Sequence, residues 1–360
     1  MRATRVRLRD FRSYERAEAE LGDGLTVVLG PNGAGKTNLL EAVYFALTAR
    51  SCRTSNEREV VRLGAELTRT EAEVAAEDGQ HLLEVGFKPG EPKHLRVDGA
   101  PVDRFGPDVS RPLTVVFLPE RLELVRGGPS LRRAHLDQFA AALHPALADL
   151  RSRYARALAQ RNALVARRNV APGMLDPWDG ELARLGWELM QERARAAETL
   201  SEPFARFASE LGMPEQAELA YRPRSRATSA EQLRAELAER HAADLQRGFT
   251  AHGPHRDELL LAHGGRPLRA FGSQGQQRVG LLALLLAERE ILLEMRGLPP
   301  LMLLDDVMSE LDAERRLRLA EVLRGGGQAV ITATEAEHVP GAGEEGVATI
   351  HVEPGALVAA

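Results

Sequence analysis

Apolar and polar side chains alternate with period two over residues 4–9, which predicts a strand with one apolar face and a row of Arg5, Arg7 and Arg9 on the other. Phe11-Arg12-Ser13-Tyr14 turns the chain into a return strand. The apolar run at 25–29 predicts a buried strand, and 38–47 predicts the helix that follows it. Alternating segments near 66–76, 80–88 and 94–98 are punctuated by Asp78-Gly79, Pro89-Gly90 and Asp98-Gly99, so they predict hairpins. The apolar run at 113–118, stopped by Pro119, predicts a central strand. An antiparallel sheet beside a parallel core is the expected result.

From about 120 to 250 the period becomes helical. Leu147, Leu150, Tyr154, Ala157, Leu158 and Leu164 recur at steps of three and four, and Leu182, Leu185, Leu189, Ala196, Leu200, Phe204 and Phe207 do the same. Pro145 and Pro203 start or kink helices, and the stretch from Ala171-Pro172-Gly173 to Asp176-Pro177 joins the two. Helices of about 25 residues reach roughly 40 Å, enough for a lobe and far too short for a coiled-coil arm. Strand character returns at 258–268, with a turn at His263-Gly264-Gly265, and a helix of about 20 residues starts at Gln274. A very apolar strand at 301–304, an amphipathic helix at 313–324 and a strand at 328–333 then alternate as in a parallel sheet. The last residues are expected to be loose.

Composition narrows this picture. A chain of 360 residues holds one large or two moderate domains. The formal net charge of −5 means that any nucleic-acid surface is local. Only Lys36, Lys88 and Lys93 among the 47 basic residues are lysines, an arginine bias read as genomic. The single Cys52 provides no disulfide framework, and the chain has neither an apolar stretch of about 20 residues nor a signal-like start. A soluble, cytoplasmic protein with no membrane contact is expected.

Between the strand at 25–29 and the helix at 38–47 stands Gly30-Pro31-Asn32-Gly33-Ala34-Gly35-Lys36-Thr37. Glycines let backbone N–H groups turn onto a phosphate, the helix N-terminus adds positive dipole, Lys36 reaches the outer phosphates and the Thr37 hydroxyl suits Mg²⁺. The apolar strand Leu301-Met302-Leu303-Leu304 ends in Asp305-Asp306. One carboxylate there can hold Mg²⁺ and its neighbour can take a proton from an attacking water. Gly272-Ser273-Gln274-Gly275-Gln276-Gln277-Arg278 opens the preceding helix, and Ser309-Glu310-Leu311-Asp312 follows the acids. Without the other motifs, Ser273 reads as an ordinary N-cap of the helix over 274–294.

That order of motifs resembles the ABC-type ATPases, and the rest of the chain resembles their RecF family, which is related to SMC heads. The resemblance rests on Phe11-Arg12-Ser13-Tyr14, Gly30 to Thr37 with Asn38-Leu39-Leu40-Glu41-Ala42, Ser51-x-Arg53-Thr54, and Phe117-Leu118-Pro119-Glu120. It continues in Gly128-Pro129-Ser130 with Arg132-Arg133, Gly253-Pro254-His255-Arg256-Asp257 and Ser273 to Arg278. It implies an α/β ABC-type ATPase head, with a mixed parallel and antiparallel sheet lobe at 1–119 and 251–360 and a helical lobe at 120–250. It also implies ATP and Mg²⁺ as cofactors, held by residues Gly30, Pro31, Asn32, Gly33, Ala34, Gly35, Lys36, Thr37, Asn38 and Arg53, with Thr37 and Asp305 on the metal. Asp306, Lys36 and Ser273 are then catalytic, Ser273 with Gly275 and Gln276 capping the γ-phosphate held by a second copy.

The implied function is recombinational repair and replication-gap processing by an ATP-dependent homodimer on duplex DNA near single-strand gaps, with RecR and RecO as partners and weak, DNA-stimulated hydrolysis as the release step. Three departures from the general ABC pattern favour slow turnover. Asp306 is one methylene shorter than the usual glutamate, Glu120 stands near the place of the γ-phosphate-sensing glutamine, and Ile331-Thr332-Ala333-Thr334 lacks the switch histidine, with His338 too late. A transporter ATPase subunit would want both missing residues, and an SMC-like chromosome-structuring protein would want heptads over hundreds of residues. His255, Arg256 and Asp257 read as a structural corner. Arg132, Arg133, Arg151, Arg153, Arg156, Arg161, Arg167 and Arg168 are candidate DNA contacts or a solvated helix face.

Overall fold

Strand β1 (Arg2–Phe11) turns at Arg12, whose φ is positive, into β2 (Tyr14–Glu20), and β3 (Leu25–Leu29) then leads into helix α1 (Lys36–Thr48). β4 (Thr68–Ala76), β5 (Gly79–Phe87), β6 (His94–Val97) and β7 (Ala100–Val102) form the expected hairpins, and β8 (Thr114–Phe117) follows. The helical stretch holds α2 (Glu123–Arg126), α3 (Pro129–Leu143), α4 (Leu150–Val165) and α5 (Asp176–Glu210). Next come β9 (Ala217–Arg222), α6 (Ala230–Ala238), α7 (His241–Arg247), β10 (Glu258–His263), β11 (Arg266–Pro267), α8 (Leu268–Phe271) and α9 (Gln274–Arg296). β12 (Leu301–Leu304), α10 (Ala313–Arg324), β13 (Ala329–Ala333), β14 (Ala348–Glu353) and β15 (Ala356–Val358) complete the chain. The structure, a computed structural model, describes residues 1–106, 109–167, 170–171, 173–297 and 299–358.

Two compact units result, one of residues 1–121, 210–212 and 292–360, the other of 122–209 and 213–291. The first unit has two sheets. One is antiparallel, in the order β2-β1-β4-β5-β6-β7, and the other runs β15-β14-β3-β13-β12-β8, parallel except where β15 returns on β14. Helix α1 is buried between them: Leu39, Leu40, Val43, Phe45 and Leu47 share one core with Val6 and Leu8 of the first sheet and Val28, Leu303 and Val330 of the second. Buried Gln328 stitches the unit, its Nε2 donating to the carbonyls of Ala3 (2.6 Å) and Gly22 (2.8 Å) and its Oε1 accepting from Ala3 N–H (3.0 Å). A helix enclosed in this way fixes the loop at its N-terminus.

In the second unit the helices pack with a small sheet of order β11-β10-β9. β10 is antiparallel to β9, with Leu260 opposite Ala220, and Gly264 and Gly265, both at positive φ, turn the chain so that β11 pairs antiparallel with β10 on its other side. Residues 258–268 therefore do not join the parallel sheet, and α9 lies largely in this unit, whose boundary falls at 291 instead of 250. β8 is an edge strand, paired with β12 alone among the described residues, where the sequence pattern had predicted a central one. The two long helices are unequal, 16 residues in α4 and 35 in α5, so the second reaches about 52 Å. Residues 348–358, expected to be loose at their end, form a hairpin instead, Gly355 at positive φ folding β15 onto β14.

Candidate nucleotide-binding site

The loop from Gly30 to Thr37 joins β3 to α1, as its flanks predicted. A Cβ at position 30 would stand 2.3 Å from the Val352 carbonyl oxygen, so only glycine fits there. Gly35 has φ 117°, and a Cβ on it would press the Ser13 and Tyr14 hydroxyls at 3.0 Å. Tyr14 donates its phenol to the Gly35 carbonyl (3.0 Å), and Ser13 accepts from Asn38 Nδ2 (3.0 Å), so the β1–β2 turn braces the loop. The buried Lys36 ammonium donates to the Gly30 (2.7 Å) and Pro31 (3.0 Å) carbonyls. Burial lowers its pKa, opposed by the negative charges of Asp306 and Asp305. A poorly solvated ammonium hydrogen-bonded to two carbonyls is ready to pair with phosphate oxygens.

Asp305 and Asp306 leave the C-terminal end of β12, beside the ends of β3 and β13. Thr37 Oγ1 donates to Asp305 Oδ2 (2.8 Å) and Thr332 Oγ1 donates to Asp305 Oδ1 (2.8 Å). Burial raises the Asp305 pKa, and those two hydroxyls pull against the rise. A hydroxyl and a carboxylate in contact are the hard oxygen donors that Mg²⁺ takes, so these residues fit the cation. Asp306 has φ 47° and an exposed side chain, and its N–H is held by Thr332 Oγ1 (2.9 Å). Thr332 thus orients both acids. Its role was missed in the sequence because its interest there lay in the absence of a histidine; the readable signal was a hydroxyl in an otherwise apolar strand. His338 bonds Thr334 Oγ1 (3.3 Å).

Glu41, on the buried face of α1, was also quoted without a role. It is fully buried (0%) and takes a bidentate pair from Arg12 (2.8 and 2.8 Å) and a hydroxyl from Ser51 (2.6 Å). Ser51 Oγ in turn accepts the N–H groups of Arg53 and Thr54 (3.1 Å each). Arg53 Nη1 donates to Asn38 Oδ1 (3.1 Å), while its Nε lies 3.6 Å from Glu120 Oε1. The first unit therefore brings Gly30 to Asn38, Arg53, Glu120, Asp305 and Asp306 into one constellation. Burial pushes the thiol of neighbouring Cys52 up to about 12.

Ser273, Gly275 and Gln276 belong to the second unit, where Ser273 Oγ accepts Gln276 N–H (3.2 Å) and Gln276 Oε1 accepts Ser273 N–H (2.8 Å). This reciprocal capping box holds α9 open at an exposed N-terminus. Next to it Phe271 is 65% exposed.

Several arginines offered as DNA contacts are structural. Arg161 is fully buried, bonded to Asp179 (2.7 Å), Asp244 (2.7 Å) and Thr250 (2.7 Å). Arg132 is buried against Glu258 (2.8 and 2.9 Å), and Arg133 donates to the Asp257 carbonyl (2.7 Å). Arg5 and Arg7 are laced to Glu18, Glu20, Glu71 and Glu73 across three strands, and Arg9 stays more exposed. Arg151, Arg156 and Arg167 are exposed, Arg153 is half-buried, and Arg168 lies outside the described residues.

The RecF/RecN/SMC N terminal domain family matches residues 3–356. The DNA replication and repair protein RecF of Streptomyces avermitilis is 40% identical over 358 residues, covering 95% of each chain. That of Frankia alni is 37% identical over 361 residues, covering 94% of this chain and 95% of its own. Among solved structures, the recombination mediator protein RecF with ATP, of the RecFOR pathway, matches with TM-score 0.88 at 30% identity, over 99% of this chain and 98% of that one. An SMC head bound to the C-terminal winged-helix domain of ScpA has TM-score 0.59 at 15% identity, a likeness of fold alone.

Proposed function

This chain belongs to the RecF/RecN/SMC N-terminal family and, within it, to the RecF proteins of DNA replication and repair, and from that premise we propose an ATP-driven dimer that grips duplex DNA and lets go on hydrolysis. The observation that carries this is the junction of Lys36, Thr37, Asp305 and Thr332, which joins the phosphate loop to the acids at the end of β12. In this reading Lys36 neutralises the outer phosphates and the backbone of residues 30–37 encloses them. Thr37 and Asp305 hold Mg²⁺, which supplies charge neutralisation at the phosphates. Asp306 takes the proton of the attacking water, and Asn38 and Arg53 approach the same end of the nucleotide. The exposed N-terminus of α9, with Ser273, Gly275 and Gln276, offers N–H groups, a hydroxyl and dipole to the γ-phosphate on a second copy.

Hydrolysis in this scheme is slow and stimulated by DNA, the DNA is duplex near single-strand gaps, and RecR and RecO are the partners, with the cytoplasm as the setting. No helix among the described residues is long and apolar enough to cross a membrane, and Glu120 and Thr334 stand where a transporter subunit would want glutamine and histidine. Sedimentation with and without ATP, each with and without duplex DNA, tests the reading. A dimer that needs ATP and is favoured by DNA is expected, and a monomer under all four conditions overturns it.

A further inference from the structure

Arg132, Arg161 and Arg193 of the second unit are buried in ion pairs, and a group of exposed arginines in the same unit contrasts with them. In the second unit two adjoining grooves of about 570 and 450 Å³ share Arg224, Arg247 and Ala251 as wall. Arg240 lines the first groove and Arg256 the second. Arg224 and Arg247 are exposed with no side-chain partner among the described residues, Arg240 donates only to the Glu236 carbonyl (2.8 Å), and Arg256 rests on the ring of Phe249, 5.3 Å from its centroid. Glu239 is the single acid on these walls among the described residues. The neighbouring Glu236 carboxylate is already taken by Ser225 (2.6 Å) and His252.

The walls are held rigidly from behind. Gly248, at φ 82°, ends α7 and delivers Phe249, which is 42% exposed. Thr250 N–H donates to Asn162 (2.8 Å), Ala251 N–H donates to Asp244 (3.1 Å), and the Asp257 carboxylate accepts Arg224 N–H (2.7 Å) and the Tyr221 phenol. His255 is fixed between Tyr154 Oη (2.8 Å) and the Thr250 carbonyl (2.9 Å), its pKa lowered to about 4 chiefly by burial, with Arg256 and Arg133 adding to the effect. The corner Gly253-Pro254-His255-Arg256-Asp257 thus serves as the frame that turns Arg256 and Arg224 outward.

We propose that this arginine-walled groove seats an unpaired DNA strand, its phosphates on Arg224, Arg240 and Arg247 and one base stacked on Phe249 beside Arg256. Guanidinium forks match phosphate oxygens, and an exposed aromatic next to a cationic track is how single strands are held without sequence preference. A duplex, with its bases already stacked, would leave Phe249 with nothing to do. Each groove has a volume in the range of ligand sites, and the preordered wall lowers the entropic cost of binding.

The inference rests on the DNA-binding reading above and is tested separately from it, by anisotropy of a labelled oligothymidylate and a labelled duplex against the full chain. Arg224→Glu with Arg247→Glu is expected to weaken the single strand by roughly ten-fold or more and to flatten its salt dependence. Phe249→Ala should cost about five-fold on the single strand alone, and Phe249→Tyr should restore it. Binding of a fluorescent ATP analogue at the phosphate loop checks that each variant is folded. Unchanged single-strand affinity in both variants overturns the proposal, as does a loss shared equally by duplex and single strand with Phe249→Ala silent. If the unaltered protein binds neither DNA, the DNA-binding reading falls, and this inference with it.

Discussion

At the residue scale the two acids after β12 divide their work by environment. Asp305 is buried and hydroxyl-bonded, while Asp306 is exposed on a left-handed residue. Asparagine tolerates that backbone as well as aspartate does, so Asp306→Asn should fold and bind ATP yet hydrolyse it roughly hundred-fold more slowly. A hydrolysis rate within about twofold of the unaltered protein places the base elsewhere. Asp305 leads to a different measurement. Its folded pKa is raised by burial, so the folded state binds the proton more tightly than the unfolded one. The ionised group therefore opposes folding above its folded pKa, and the penalty fades as pH falls through that value toward the unfolded one. Without nucleotide, Asp305→Asn should melt about 2 °C higher near neutral pH, the difference narrowing in acid, while stabilisation by ATP with Mg²⁺ is lost. Calorimetry decides, and a lower melting point at neutral pH would show that the bonds from Thr37 and Thr332 outweigh the burial.

At the element scale, what could be read from the sequence was whatever had a local cause. The alternation at 4–9, the Asp-Gly turns and the strand, loop and helix around Lys36 each contain their own signal, and the structure has them in place. The partners of side chains carried no such signal. Arg161 looked like one more cation on a helix face, because nothing in the spacing of α4 reveals Asp179 on α5 or Asp244 on α7. Those bonds lock three helices in register within the second unit. Arg161→Met would strand two buried carboxylates, a loss of about 3–5 kcal/mol, read as an earlier urea transition of that unit; a shift near zero would mean that water replaces the guanidinium. Ser273 was the reverse case, since its cap was legible from Ser273 and Gln276 alone. Aspartate caps as well as serine, so Ser273→Asp should keep α9 intact while setting a negative charge against the γ-phosphate of a second copy. A melting point unchanged with ATP-driven dimerisation lost is the expected pair of results. Normal dimerisation in that folded variant would leave Ser273 as a cap only.

At the scale of the whole molecule, charge and connectivity meet. The boundary at 291 escaped the sequence because β10 has the apolar pattern of a parallel-sheet strand, and its antiparallel pairing with β9, across the long connection of residues 223–257, leaves no local signal. The same molecule carries a net charge of −5 and must nevertheless hold a polyanion. In the proposed function, a single copy would meet DNA through one local basic surface against an overall repulsion. In the proposed dimer, two copies joined by ATP would present two such surfaces to one duplex, so the second would engage at an effective concentration set by the first. ATP should therefore raise duplex affinity and also steepen its salt dependence, since each further phosphate neutralised adds a slope of about −0.9 in log K against log salt. Lys36→Met should remove the ATP-dependent part of both and leave the weak basal binding, because the phosphates then go uncompensated in a site built for a buried ammonium. Anisotropy titrations at several salt concentrations, with and without ATP, measure both quantities on one sample. Equal slopes in the two states would mean that ATP acts by some route other than joining two DNA-binding surfaces, and an undiminished response in Lys36→Met would remove the phosphate loop from the switch.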